Sequence, residues 1–423
     1  ARSGTRALAT QLRFDAAHPG DRPALDVVAS TEHRALAREA AALSMVLLRN
    51  EAVDGVPVLP LDARALRRLA VVGRLADVAN TGDHGSSDVR APEVVTALAG
   101  LRSALPGVEV VHVADDDPAE AARVAATCDA AVVVAGYTAD DEGEYADTSA
   151  MTGPAFAALF PPPPEGSGSA PTDLSVAGGN AAGAGGDRVR LTLRDVDEEI
   201  VRAVGAANPR TVVALVAAGA VLTESWRTAV PGVLMSWYSG MAGGHALADV
   251  LLGRVDASGR LPFSIPTSEE HLPCFDRDAT AITYDRWHGQ RLLDHLGVEA
   301  AFPLGFGLSY TSFTIGAPEV KRTGAESASV TVEVTNTGGR SGRHVVQVYG
   351  TRGDGGERFL LGFAPVELAA GAAAAVEVPV SLRPLTVWDD ASRTLVLTPG
   401  DVEVIAAAYA GDPAATSTVL ALA

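Results

Sequence analysis

A chain of 423 residues, 47% apolar and 20% charged, holds enough apolar material for two or three packed domains, which excludes a disordered chain. Its formal net charge of −19 argues against bulk electrostatic binding to nucleic acid or to an anionic membrane surface. No apolar run approaches the roughly 18 to 20 residues of a membrane span, and two cysteines, Cys128 and Cys274, make neither a disulfide framework nor a thiolate metal cluster.

Residues 1–30 open with a predicted helix over Thr5–Phe14 and continue as the loop AHPGDRPALDVVAS, which reads as the tail of a preceding domain and a linker. Neither an initiator Met nor a secretory leader stands at this end, so a cut, processed or incomplete terminus is expected. The compartment stays open between cytoplasmic and secreted, with cytoplasmic slightly favoured.

Over residues 31–268 the pattern predicts an α/β layered domain. The first helix is expected over Glu32–Leu48, with Leu36, Ala40, Leu43 and Leu47 on one face. Short Val-rich runs follow: LAVVG at 69–73, VEVVHVA at 108–114, AAVVVAG at 130–136, TVVALVAAG at 211–219 and GVLMSWY at 232–238. Each is apolar at successive positions, as a strand buried on both faces of a parallel sheet must be. Helical stretches separate them, two of them opening on Asp at an N-terminus. Residues 146–187 break the rhythm with PPPPEGSGSA and GGNAAGAGG, a low-complexity surface insertion. The stretch 269–318 is irregular, aromatic and Gly-rich, and is predicted to connect domains. From 319 to 423 short alternating strands such as SVTVEVTNTG, HVVQVYG and AAVEVPVSL predict an antiparallel β-sandwich.

Chemistry is expected in loops that leave the carboxyl ends of parallel strands. GYTADDEGEYAD at 136–147 is such a loop and carries Asp140, Asp141, Glu142, Glu144 and Asp147. Crowded carboxylates repel one another, which raises at least one pKa and suits a proton donor, although spacing alone favours a solvated acidic loop. GDHGSSDVR at 82–90 also follows a strand, and its glycines and hydroxyls suit either a tight turn or contact with a hydroxylated ligand. Trp237 ends a strand as a packing residue or a sugar-stacking one. His84, His245 and His288 lack metal-ligand spacing.

Taken together, the strings HRALAREAAALSMVLLRNE, AVVGRLADVANTGDHGSSDV, AVVVAGYTADDEGEY, GGDRVRLTL, ANPRTVVALV, SWYSGMAGGHALADVLLGRVDASGRLPFSIP and FPLGFGLSYTSF resemble family 3 glycoside hydrolases of the β-glucosidase type, over residues 30–423. The resemblance implies an (α/β)6 sandwich domain followed by a fibronectin type III-like β-sandwich, with a (β/α)8 barrel preceding both in the family. It further implies retaining hydrolysis of a terminal β-glucoside or oligosaccharide without cofactor or metal, the general acid/base coming from the acidic loop. The local match is Glu142 beside Gly143, with Glu144 as the alternative; Asp83, His84, Ser86, Ser87 and Arg90 are expected in the substrate-facing wall. The family's nucleophile is a barrel Asp in an S-D-W-like string that this chain lacks, so the chain alone is expected to be inactive and to need a barrel domain or barrel subunit. Other expectations kept open are a β-xylosidase or β-N-acetylhexosaminidase specificity, a non-catalytic carbohydrate-binding or scaffolding subunit, and a homo-oligomer.

Overall fold

The computed structural model describes residues 2–18, 20, 25–82, 89, 91–142, 188, 190–276, 279–353 and 356–422. In chain order the first part runs α1 (Arg2–Ala17), α2 (Thr31–Ser44), β1 (Val46–Asn50), the small hairpin β2 (Ala52–Val53) and β3 (Val56–Pro57), and β4 (Arg68–Val72). It continues with α3 (Ala97–Ala104), β5 (Glu109–Val113), α4 (Pro118–Ala125), β6 (Ala130–Gly136) and the one-turn α5 (Ala139–Glu142). After the insertion come α6 (Asp195–Ala207), β7 (Thr211–Val216), β8 (Gly232–Met235), α7 (Gly243–Leu251) and α8 (Gly289–Leu296).

Six strands form one sheet in the order β1-β8-β7-β6-β4-β5. The pairs from β8 to β5 are parallel, and β1 is an antiparallel edge, Val46 opposite Met235. The Val-rich runs are buried on both faces for the expected reason. One face packs Val72, Val133 and Val213 with Ile200 and Val204 of α6; the other packs Val71, Val132 and Val212 with Leu101 of α3 and Leu247 of α7. Helix termini follow local chemistry: the Asp117 carboxylate accepts from the Ala119 and Glu120 amides, and the Ser30 and Thr96 hydroxyls cap α2 and α3.

The structure corrects the helix expected over Glu32–Leu48. It stops at Ser44, Met45 turns extended, and Val46–Asn50 becomes β1. The apolar run Met45–Leu48 fits a strand paired with β8 at full burial, whereas Leu36, assigned to the buried stripe, is exposed and Ala41 and Ala42 are buried instead. Along α1, Leu8, Leu12 and Phe14 face solvent. Among the described residues no helix is long and apolar enough to cross a membrane.

The second part holds β9 (Phe313–Ile315), β10 (Glu319–Arg322), β11 (Ser327–Asn336), β12 (Gly342–Arg352), β13 (Phe359–Leu368), β14 (Ala373–Ser381), β15 (Val387–Asp389), β16 (Thr394–Val396), β17 (Gly400–Ala407) and β18 (Thr416–Leu422). Two antiparallel sheets, β10-β11-β14 with β9 added on β11 and β13-β12-β17-β18, enclose Val330, Val332, Val346, Val348, Val378, Val402 and Val404. The strand β13 contains Gly362 and Pro365; it tolerates the proline because it is an edge strand with one open side.

The aromatic segment around 302–312 joins the two parts through named bonds. Asp256 accepts from the Ser309 hydroxyl and from the Tyr310 and Arg343 amides, and the Tyr310 hydroxyl donates to Val250 O. Gln347 donates to Gly305 O at 2.9 Å, and the Ala410 amide to Leu304 O. Burial pushes the Tyr310 phenol up, so it stays a neutral donor.

Candidate functional site

The site is built at the carboxyl edge of the six-stranded sheet, where β6, β7 and β8 end side by side. β6 closes on Gly136 at φ +147°, and a Cβ there would lie 1.9 Å from Val216 O, so only glycine lets the chain leave the sheet so close to β7. Tyr137 follows, buried, its hydroxyl donating to Thr192 O at 2.6 Å. The one-turn helix α5 then places Asp140 in solvent, Asp141 half-buried and Glu142 buried.

Glu142 is held from three sides. Its Oε2 lies 2.9 Å from Arg188 Nε; its Oε1 accepts from the Tyr238 hydroxyl at 2.5 Å and from the Ala218 amide at 3.3 Å. Tyr238 follows β8 and Ala218 follows β7, so three neighbouring strand ends converge on one carboxylate. Arg188 in turn donates to Ala220 O at 2.6 Å and lies 4.8 Å over the Tyr137 ring. Burial and the adjoining Glu142 push the Tyr238 phenol up, so it remains protonated and donates.

Asp141 has its own cation. Arg74 Nη2 approaches to 2.6 Å and also donates to Gly136 O, while the Thr138 amide and hydroxyl donate to the same Asp141 oxygen. Burial works to raise the Asp141 pKa, but Arg74 and the Thr138 amide outweigh it and hold the group below the usual carboxylate value. At Asp141 attraction to Arg74 outweighs burial and any repulsion from neighbouring acids, while Glu142 is engaged by a separate guanidinium, that of Arg188. Asn80 donates to Tyr137 O at 2.8 Å and tethers the β4 loop to the same edge.

Of the residues singled out from sequence, Glu142 lies in this cluster. Glu144, Asp83, His84, Ser86, Ser87, Arg90 and the insertion 146–187 lie outside the described residues. Arg188, which follows the insertion in sequence, pairs with Glu142. Tyr238, Ala218, Arg74 and Asn80 went unnoticed in the sequence. Tyr238 stood beside the Trp237 that drew attention, and a tyrosine directly after a strand that ends at the same edge was the available signal. Trp237 adopts φ +60°, a strained conformation for a bulky residue; its indole donates to Ser44 O and meets Phe263 edge-on. Among the described residues no group of three or more His, Cys, Asp or Glu side chains could hold a metal ion.

With this geometry in hand, comparison with known proteins is decisive. The Glycosyl hydrolase family 3 C-terminal domain matches residues 45–160 and 165–310, and a Fibronectin type III-like domain matches residues 344–410. The chain belongs to glycosyl hydrolase family 3. It is 28% identical over 410 residues to a β-glucosidase of Bacteroides ovatus, covering 92% of this chain and 52% of that protein. Over 244 residues it is 35% identical to a β-glucosidase of Rhizobium radiobacter, covering 54% of this chain and 30% of that one. A family 3 β-glucosidase of Bifidobacterium adolescentis superposes with a TM-score of 0.76 at 27% identity, over 99% of this chain and 57% of its own. A xylan 1,4-β-xylosidase of Xylanibacter ruminicola is also similar, 30% identical over 237 residues, 52% of this chain and 25% of that protein. The chain thus spans about half the length, or less, of these family 3 relatives. Its α/β layer and β-sandwich are the fold that the sequence resemblance implied.

Proposed function

We propose that the chain is the part of a retaining, exo-acting β-glucosidase that supplies the general acid/base, while an aspartate of a barrel outside these residues is the nucleophile. In that reaction the nucleophile attacks the anomeric carbon as a carboxylic acid protonates the departing oxygen. Water then attacks the glycosyl-enzyme, with the same carboxylate now taking its proton. The two carboxyl groups must stand about 5–5.5 Å apart for this double displacement.

One observation carries the reading: three strand ends converge on Glu142, two residues before a second glutamate, Glu144. A proton donor must have an oxygen free to meet the glycosidic oxygen, and both oxygens of the buried Glu142 are engaged by protein groups. That engagement favours Glu142 as the anchor of the acidic loop and Glu144 as the residue that transfers the proton, the reverse of the order suggested by the Glu142-Gly143 match alone. Asp83, His84, Ser86, Ser87 and Arg90 are proposed to face the sugar from the neighbouring loop. Without a nucleophile, the chain by itself is inactive.

The experiment is hydrolysis of 4-nitrophenyl β-glucoside by the purified chain, alone and then with a family barrel domain supplied. Activity that requires the barrel supports the reading; activity of the chain alone overturns the placement of the nucleophile. The similarity to a xylan 1,4-β-xylosidase favours 4-nitrophenyl β-xyloside as the second substrate, and a preference for it would move the specificity to xylosides.

A further inference from the structure

The outer face of the β13-β12-β17-β18 sheet turns toward the α/β layer but touches it over only part of its width. Gln347 closes the contact at Gly305, and Tyr349 stays buried with its hydroxyl donating to Gln347. Beside them, Arg343, Val345 and Phe363 stand across from Leu43, at the end of α2, and from Arg260, leaving a cleft of about 530 Å³. That is the volume of a small-molecule site, and seams between domains are where such sites form. The wall is mainly apolar, and Phe363 presents its ring to solvent at 62% exposure.

Against this apolar wall stands a cation without a counter-ion. Among the described residues Arg260 makes no ion pair: its Nη1 donates to the Ser258 and Gly259 carbonyls at 3.0 and 2.9 Å, and its buried Nε has no hydrogen-bond partner. The Ser258 hydroxyl, in the same wall, is buried and unpartnered as well. Asp256 is the nearby carboxylate, but the Ser309 hydroxyl and the Tyr310 and Arg343 amides already occupy it. Burial pushes the Arg260 guanidinium down to about 10, Asp256 opposing only in part. The second guanidinium of the cleft, Arg343, has only a long contact of 3.7 Å to Glu367, whose side chain is 76% exposed. An exposed pair of that length adds little and yields readily to a better-placed anion.

We propose that this cleft binds a small amphipathic carboxylate, its head group paired with Arg260 and Arg343 and its apolar body laid on Leu43, Val345, Leu360 and Phe363. A single anionic head suits the site better than a polyanion, because the chain as a whole carries −19 and repels dense negative charge. An anion entering a partly dry cleft relieves the desolvated guanidinium, whereas a neutral ligand leaves it as it is. The proposal does not depend on glucoside hydrolysis, because binding is read on the chain by itself.

The test is calorimetric titration of the 423-residue chain at pH 7 and low salt with 4-phenylbutyrate, and with 4-phenylbutanol as its uncharged counterpart. The carboxylate is expected to bind saturably with one site and about tenfold or more tighter than the alcohol, the usual worth of charge-assisted hydrogen bonds. Arg343→Gln, at the half-exposed side of the cleft, removes most of that difference and leaves the alcohol unchanged; Arg260→Met does the same if it folds. Phe363→Ser, at an exposed position, weakens both ligands. No saturable heat at millimolar carboxylate, equal affinity for the alcohol, or binding that survives both Arg343→Gln and Phe363→Ser overturns the proposal.

Discussion

Removing Arg188 from beneath Glu142 separates an anchoring role for that carboxylate from a catalytic one. The side chains of the pair are 6% and 13% exposed and 2.9 Å apart, so neither charge can be rescued by water once its partner is gone. Breaking a buried pair by deleting one member costs about 3–5 kcal/mol. Arg188→Met also loses the 2.6 Å bond to Ala220 O and the contact over Tyr137, so a loss of about 4 kcal/mol is expected. Tyr238→Phe costs only about 1 kcal/mol, since the Ala218 amide stays on the same oxygen. In the double variant Glu142→Gln/Arg188→Met no buried charge is stranded, so the two changes cost about 2 kcal/mol less together than their sum. Equilibrium urea unfolding of the chain, followed by the fluorescence of Trp226 buried in the α/β layer, reads these values as shifts in midpoint at constant slope. A loss under about 1 kcal/mol for Arg188→Met, or strict additivity in the double variant, refutes the clamp. Glu142 would then be free to act as the proton donor.

Three further outcomes are expected. With a barrel supplied, Glu144→Gln slows aryl β-glucosides with poor leaving groups by about 10²–10⁴-fold, spares 2,4-dinitrophenyl β-glucoside and is rescued by azide. Glu142→Gln, acting through the loop's position, slows all leaving groups alike; the opposite ranking returns the acid to Glu142. His344 is 4% exposed, and burial, aided by nearby Arg260, pushes its pKa down to about 3, below the roughly 6.5 of an unfolded histidine. The unfolded chain therefore takes up the proton first: stability is full above about pH 6.5 and declines by about 1.4 kcal/mol per unit as pH falls toward 3, or about 2 kcal/mol at pH 5. His344→Phe should flatten that stretch of the pH–stability curve, and an unchanged slope would show that His344 does not cause it. Cys274 is exposed, whereas Cys128 is partly buried and burial raises its thiol pKa, so a thiol reagent at pH 8 should modify Cys274 at least about tenfold faster; comparable rates would contradict the packing around Cys128.

The strands of the α/β layer were readable from the sequence because burial on both faces leaves one composition available, short Val- and Ala-rich runs such as Ala130–Gly136, and the helices because capping and periodicity are local. The strand beginning at Val46 was not readable: its apolar residues continued the helical register of the residues before it, and what makes it a strand is pairing with Gly232–Met235, far away in the chain. The acidic loop announced itself by composition and position, and the ordered set of strings announced the family. What composition could not say is which guanidinium each carboxylate meets. Arg188 stands beyond the 146–187 insertion, Arg74 after β4 and Tyr238 after β8, and only the parallel ordering of β8, β7, β6 and β4 brings those strand ends to one edge. Electrostatic pairing depends on distance in space, and here the tertiary structure alone turns a run of like charges into a pair of separately anchored carboxylates.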